Sequence, residues 1–263
     1  MLRRFYEDYF KQSRLDGYRN ILLEARSLGY CMVGIRDFYN ILKSGGKKDL
    51  RYLVNRHDID TSPMVARKMF DIEKDVYGRC GSATYYFRKK TVDKNLIAEI
   101  DAYGYETGFH YETIADYAKD KNIYRKEEIL LKLPEIRRIF IDDLKSFRAE
   151  TGSESCTVSS HGDFVNNFLQ IENKAILADS YTREQAEILL EAYDEIVNVP
   201  VQERFADQKL LSDFSRETIN AIKREVDVVM ILTHPRNQRV DLWWNTKDNI
   251  NRLTEGIRYK IGM

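Results

Sequence analysis

The residues best suited to chemistry lie in the run Arg56-His57-Asp58-Ile59-Asp60, which follows the short apolar segment Tyr52-Leu53-Val54. That segment is typical of a β-strand, and side chains on a strand alternate between its two faces. Asp58 and Asp60 are therefore expected on one face, with His57 and Ile59 on the other. Two adjacent carboxylates repel each other, so the pair indicates a metal ion, or a base beside a metal. The alternative is structural, because Asp60-Thr61-Ser62-Pro63 is also typical of a helix N-terminus.

The chain contains four histidines, and each ends or follows a segment with the apolar character of a strand. They are His57, His110, His161 and His234. In parallel α/β folds the carboxyl ends of the strands open onto one common crevice. A single histidine is more often a packed or capping residue, but the shared position of all four predicts a functional cluster with the Asp pair.

Imidazole and carboxylate groups are ligands of zinc and of other borderline divalent metals. One aspartate and two histidines leave coordination positions open for water, whose pKa the ion lowers towards ~7. A second carboxylate can accept the proton, and a histidine beyond the metal can protonate the leaving group. The sequence therefore favours metal-dependent hydrolysis. Neither the GxSxG elbow of serine hydrolases nor the HExxH motif of zinc proteases is present.

Length and composition restrict the class of protein further. The chain has 263 residues, which suits one α/β barrel of ~250 residues. The net charge is zero with both signs interspersed, so no nucleic-acid partner is expected. No apolar run reaches ~18 residues and no secretory signal begins the chain, so we expect neither a membrane span nor export. Three widely spaced cysteines predict no disulfide set and indicate the reducing cytoplasm.

From residue 50 onward, short apolar segments alternate with helical patterns. Strands are predicted at 52–56, 83–87, 106–109, 156–159, 175–178, 196–199 and 228–232, and helices at 63–75, 93–103, about 125–147, 183–193 and 215–225. This alternation predicts a seven-stranded parallel sheet of βα units, closed or nearly closed into a barrel. A doubly wound open sheet is the structural alternative, but no GxGxxG follows any strand. We expect one domain over 1–263, with a helical extension at about 1–49.

Taken in order, the motifs resemble the polysaccharide deacetylase family, also called NodB-like or carbohydrate esterase family 4. The resemblance covers roughly residues 50–245 and is carried by Arg56-His57-Asp58-Ile59-Asp60, Thr84-Tyr85-Tyr86-Phe87-Arg88, Gly108-Phe109-His110-Tyr111-Glu112, Ser160-His161-Gly162 and Leu232-Thr233-His234-Pro235. The closer likeness is to a divergent intracellular branch found among capsule and surface-glycan biosynthesis proteins. It implies a distorted seven-stranded (β/α) barrel and a metal-dependent hydrolase, with zinc (Zn²⁺) as the expected ion. The implied reaction removes an acetyl group, N-linked, from a sugar or glycan precursor.

The resemblance also implies catalytic roles for two residues. Asp58 matches the family's catalytic base, and the following metal-ligating aspartate matches Asp60. Ile59 separates two residues that are adjacent in the family, so the roles of base and ligand are open to exchange. His234, which follows the apolar strand at 228–232, matches the general acid.

The metal ligands implied by the resemblance are incomplete. His110 matches the first of two metal histidines, but Ile114 occupies the position of the second, four residues later. The third ligand is then His161 or Glu112. We favour His161, because a neighbouring strand end can bring its imidazole into the same crevice.

Two other functions fit the same motifs. Loss of the histidine at position 114 is compatible with a barrel that has lost catalysis and binds a carbohydrate or a protein partner. The same site also suits a metal-dependent amidase acting on a non-sugar substrate. The sequence leaves the oligomeric state open.

Overall fold

The structure is a computed structural model that describes residues 2–46, 50–208 and 213–261. Its strands are β1 (Cys31–Val33), β2 (Tyr52–Ile59), β3 (Thr84–Phe87), β4 (Glu106–Tyr111), β5 (Thr157–Ser160), β6 (Leu190–Glu191), β7 (Glu203–Ala206) and β8 (Val228–Thr233). Its helices are α1 (Leu2–Tyr9), α2 (Leu15–Ser27), α3 (Ile35–Lys43), α4 (Pro63–Tyr77), α5 (Lys94–Tyr103), α6 (Thr113–Lys121), α7 (Lys126–Thr151), α8 (Phe164–Leu169), α9 (Ser180–Gln185), α10 (Glu195–Asn198), α11 (Phe214–Lys223), α12 (Pro235–Gln238) and α13 (Leu242–Ile261). Short 3₁₀ segments lie at Gly78–Cys80, Lys89–Thr91 and Asn173–Ala178.

The strands form one parallel sheet that curls into a half-barrel, in the order β6-β5-β4-β3-β2-β8-β7. β2 has three neighbours among the described strands and pairs with β8 along one side. On its other side, the first half of β2 pairs with β1 and the second half with β3. Among the described residues β6 and β7 do not pair with each other, so the barrel stays open between them. All eight residues of β2 are buried, as expected for a parallel strand covered on both faces.

Alternation along the strands gives the sheet two different faces. The outer face carries apolar side chains such as Leu53, Tyr85 and Val229, which belong to the main core formed with the surrounding helices. The inner face is apolar only at the amino ends of the strands, where Val54 and Met230 pack in a smaller core with residues of α3 and α10. Towards the carboxyl ends of the strands, the inner face carries polar residues such as Asp58 and His110.

A polar group also lies at the amino end of the inner face, around Glu106, a buried carboxylate at the beginning of β4. It accepts hydrogen bonds from Thr84 Oγ1 and Thr157 Oγ1, both at 2.6 Å, and from the backbone N–H of Arg36 at 3.0 Å. Arg36 lies in the first turn of α3, where backbone N–H groups are free to donate and the helix dipole favours an anion. Burial nevertheless raises the pKa of Glu106. The contact fixes α3 across the amino end of the half-barrel.

Five of the seven predicted strands are present as β2, β3, β4, β5 and β8, and the parallel α/β architecture is confirmed. The strands predicted at 175–178 and 196–199 are wrong, because these residues form a 3₁₀ segment and α10. The helix predicted at 183–193 is also wrong beyond α9, since β6 lies within it. In a short apolar run, periodicity alone does not distinguish a strand from a helical turn. The segment before residue 50 is helical as expected, but it also contributes β1 to the sheet.

No helix in the described ranges is long and apolar enough to cross a membrane.

Candidate metal centre

Three predicted ligands meet at the carboxyl end of the sheet. Asp60 follows β2, His110 lies near the end of β4 and His161 follows β5. All three are buried, and one ligand atom from each lies within 4.8 Å of the others. These distances could accommodate a single metal ion.

The carboxylate of Asp60 has the environment of a metal ligand. Its Oδ1 lies 3.3 Å from His110 Nε2 and 3.5 Å from His161 Nε2. It is buried, yet no hydrogen bond to it is formed within the described part of the chain. A buried carboxylate oxygen without a donor is costly, and a cation among these three atoms would remove that cost. Burial raises the pKa of Asp60, but His161 and His110 lower it well below its ordinary value, so the ligand is ionised.

Both imidazoles are held by the nitrogen that faces away from Asp60. His110 Nδ1 lies 3.0 Å from the carbonyl oxygen of Ser159, and His161 Nδ1 lies 3.0 Å from Glu112 Oε2. Donation of an N–H from each Nδ1 leaves Nε2 free to bind a metal. Glu112 is itself paired with Arg88. The geometry thus puts Glu112 behind His161 rather than among the converging ligand atoms.

Asp58 lies beside the ligands and is held by an arginine on its own strand. Arg56 Nε donates to Asp58 Oδ1 at 2.9 Å, and Arg56 Nη2 donates to Oδ2 at 2.8 Å. Oδ2 also lies 3.6 Å from His110 Nε2. Burial raises the pKa of Asp58, but Arg56 and His110 lower it overall, so the group is a carboxylate. Arg56 had no predicted role, although its two-residue spacing from Asp58 puts both side chains on one face of the strand.

Arg56 is in turn enclosed on several sides. Its Nη2 donates to Ser159 Oγ at 2.5 Å, and its guanidinium lies 4.4 Å from the Tyr193 ring centroid and 5.4 Å from that of Tyr86. The side chain is 2% exposed. A planar guanidinium fixed in this way holds both oxygens of its carboxylate partner in one orientation.

His234 is brought to the same end of the sheet. Thr233 is in register with His57 between β8 and β2, so the next residue, His234, lies beside Asp58 on the neighbouring strand. Its Nδ1 lies 2.7 Å from Asp207 Oδ1, and its Nε2 contacts the side-chain amide of Gln208 at 2.7 Å. Burial lowers the pKa of His234, but Asp207, with smaller contributions from Asp60 and Asp58, raises it to about 9.

His57 does not join the cluster, so the prediction that all four histidines meet in one crevice is wrong. Its Nε2 lies 2.6 Å from Glu73 Oε1 and its Nδ1 lies 2.5 Å from Thr233 Oγ1, on the outer face of the sheet. Asn55 and Tyr85 also donate to Glu73, at 2.9 and 2.6 Å. Strand alternation explains the separation, because His57 and Asp58 point in opposite directions.

The N-terminus of α4 is capped without Asp60. The N-cap of α4 is Ser62, whose Oγ accepts the backbone N–H of Val65 at 3.3 Å, and Pro63 follows at the first helical position. Asp60 therefore does not cap this helix. Its side chain is directed to His110 and His161 instead.

Two cavities meet at His161. One has a volume of about 440 Å³ and extends towards α13, and the other, of about 280 Å³, extends towards Asn173 and Tyr193. His161, Gly162 and Asp163 line both. Volumes of this order fit small-molecule groups. Of the three predicted ligands, His161 lies at the junction of this two-armed cleft, and Asp60 and His110 lie behind it, outside the lining of either cavity.

Comparison with protein-family models, with curated proteins and with solved structures finds no match to this chain. The resemblance to polysaccharide deacetylases therefore remains a prediction from the motifs.

Proposed function

We propose that the protein is a metal-dependent hydrolase with a NodB-like distorted barrel, which removes an N-linked acetyl group from a sugar or glycan precursor. The observation that carries the proposal is the buried Oδ1 of Asp60, which has no hydrogen-bond donor and faces Nε2 of both His110 and His161. One carboxylate and two imidazoles form a donor set suited to zinc. A divalent ion bound there supplies a Lewis acid that polarises a carbonyl group and acidifies water.

Asp58 is the proposed base. It is ionised, it lies next to the ligands, and Arg56 fixes both of its oxygens. Each carboxylate oxygen accepts more than one hydrogen bond, so the contacts with Arg56 leave lone pairs for a proton from water. Arg56 is thus a positioning residue for the base.

His234 is the proposed acid. With its pKa raised to about 9 it is protonated at neutral pH, and Asp207 holds its Nδ1. Nε2 is then the atom that gives a proton to the departing amine. Asp58 and His234 lie on neighbouring strands, and this separation of base and acid suits hydrolysis of an amide.

The decisive experiment combines metal content with acetate release. Wild type, incubated with zinc and desalted, is expected to retain about one ion per chain, measured by plasma mass spectrometry, and to release acetate from acetylated amino sugars. Asp60→Ala and His110→Ala should lose both. His234→Ala is the matched control, because it removes an imidazole outside the ligand set. It should keep the metal while the rate falls by roughly 100- to 10,000-fold, the range for a positioned acid.

Full metal retention in both ligand variants would disprove the assignment. Metal binding without release of acetate from any acetylated sugar would favour the two alternative functions. Hydrolysis of simple non-sugar amides would then select the amidase, and its absence would select a carbohydrate- or partner-binding barrel.

A further inference from the structure

The cavity that extends from His161 towards α13 has a lining that the proposed deacetylation does not require. It has a volume of about 440 Å³, far more than an acetyl group fills. Phe164, Leu253 and Ile257 are on its wall, and all three are exposed, by 38%, 63% and 48%. Large apolar side chains left in water beside a candidate site favour an apolar ligand.

The charged residues of this wall are paired with one another or with neighbours. Lys90 and Arg252 both contact Asp248, at 3.1 and 2.7 Å. Asp163 and Glu255 both contact Lys119, at 3.3 and 2.9 Å. Arg88 is paired with Glu112 as described above. Apart from His161, each described charged side chain of the cavity therefore already has a partner of opposite charge. The surface left for a ligand is mainly apolar.

Two glycines on the wall point to space for a ligand. Gly256 lies inside α13, where glycine is disfavoured relative to alanine, and a Cβ added there would meet nothing within 4 Å. Gly162, at the junction beside His161, is likewise open. Neither position therefore requires glycine to avoid a steric clash with neighbouring atoms. The absence of a side chain at both positions leaves room in the cavity.

The other arm has a different character. Its wall includes the exposed side chain of Asn167, the paired charges of Glu172 and Lys174 at 2.8 Å, and the ring of Tyr193, which is 39% exposed. Hydrogen-bonding groups with one aromatic face suit a hydroxyl-rich ligand. The two arms thus match the two halves of an amide that joins an apolar acyl chain to a polar amine.

We propose that the 440 Å³ cavity is an acyl arm, which binds an aliphatic acyl chain of several carbons and so extends the substrate class from N-acetyl to longer N-acyl amino sugars. That the aliphatic chain bound here belongs to the acyl side of the substrate amide rests on the proposed function, which puts the scissile amide at Asp60, His110 and His161. Leu253, Ile257 and Gly256 are then specificity-determining residues.

The test uses the full chain and two kinds of probe. Zinc-loaded protein is titrated calorimetrically with aceto-, butano-, hexano- and octanohydroxamic acid, whose head groups bind zinc. Affinity should rise about three- to fourfold for each added methylene until the arm is filled. Metal-free protein is titrated with octanamide, which lacks the chelating group, and should bind it.

Gly256→Leu should fill the arm, abolish the chain-length dependence and octanamide binding, and leave the affinity for acetohydroxamic acid unchanged. Leu253→Gln should weaken the dependence of hydroxamic acid affinity on chain length. Leu131→Gln is the matched control, since Leu131 is 80% exposed on α7 and lines none of these cavities. It should behave as wild type.

The outcomes separate the two proposals. Equal affinity for all four hydroxamic acids, or a chain-length dependence that survives in Gly256→Leu, would overturn the acyl arm and leave the hydrolase proposal standing. Octanamide binding that Gly256→Leu abolishes, with no acetohydroxamic acid bound by the zinc-treated protein, would support the apolar arm and reject the metal-dependent hydrolase.

Discussion

Asp207 holds His234 by both its ring and its backbone. Asp207 Oδ1 lies 2.7 Å from His234 Nδ1, and Asp207 Oδ2 accepts the backbone N–H of His234 at 2.8 Å. Gln238 donates to Oδ2 as well, at 2.7 Å. One buried carboxylate thus fixes the tautomer of the imidazole and the strand end that carries it.

Asp207→Asn should lower the pKa of His234 from about 9 towards ~6.5, because the largest favourable charge facing the ring is removed. The alkaline limb of acetate release should move to lower pH by the same amount. NMR titration of the imidazole in the metal-free variants measures the pKa directly. An unchanged titration would show that Asp207 does not set this value.

The same pair predicts how stability depends on pH in the metal-free protein. The folded-state pKa of His234 is raised, so its contribution to the free energy of unfolding is fully present below pH ~6.5 and is lost as the pH rises through about 9. Urea unfolding of wild type and Asp207→Asn across this range should show a difference that shrinks with increasing pH. A difference that grows would contradict the assignment.

Asp58→Asn should keep zinc and lose turnover, since the amide preserves the shape of the carboxylate but cannot serve as the base. Asp60→Asn provides the comparison, with metal lost. Metal content and acetate release are measured on the same samples. Loss of zinc in Asp58→Asn would mean that Asp58 is a ligand, alone or together with Asp60.

Zinc affinity should increase with pH up to about 9. Burial lowers the pKa of His161, but Asp60 and Glu112 raise it to about 9, and the imidazole must lose this proton to bind a metal. Between roughly pH 7 and 9 the apparent affinity, measured against a chromophoric chelator, should rise about tenfold per pH unit. In Glu112→Gln the rise should end at a lower pH. A pH-independent affinity would exclude His161 as a ligand.

Gly108→Ala should destabilise the fold, because an added Cβ would lie 2.6 Å from the Tyr86 ring and 2.8 Å from the carbonyl oxygen of Thr157. The expected loss is about 1–3 kcal/mol, typical of overpacking, measured by urea denaturation. Gly162→Ala is the matched control, since its Cβ meets open space and should change stability little. Equal stabilities would show that Tyr86 can move away.

Period-two alternation accounts for the part of the site that the sequence could predict. It put Asp58 and Asp60 on one face and His57 on the other, and the structure has this arrangement. The position of His234 followed from the apolar strand before it, which is β8. Including His57 in the cluster was wrong because the same alternation puts it opposite Asp58. Only its partner there could not be predicted, since Glu73 comes from α4 and a pairing between distant segments leaves no local pattern.

Asp207 could not be found in the same way. It follows β7, a short strand at the sheet edge whose residues are only partly buried and include Glu203 and Arg204. Such a segment lacks an apolar pattern, and the nearby run at 196–199 was predicted as the strand instead. The role of Glu112 was likewise open, because only distances distinguish a ligand from a group that orients one.

Helix α13 lines the larger cavity and contributes none of the proposed ligands. The ligands come from the central strands and the segments after them, while the wall opposite them comes from a surface helix far along the chain. In the proposed function, selectivity for the acyl group and reactivity are thereby encoded in separate segments. Substitutions on the exposed face of α13 are then expected to change the acyl groups that bind while the metal site stays intact.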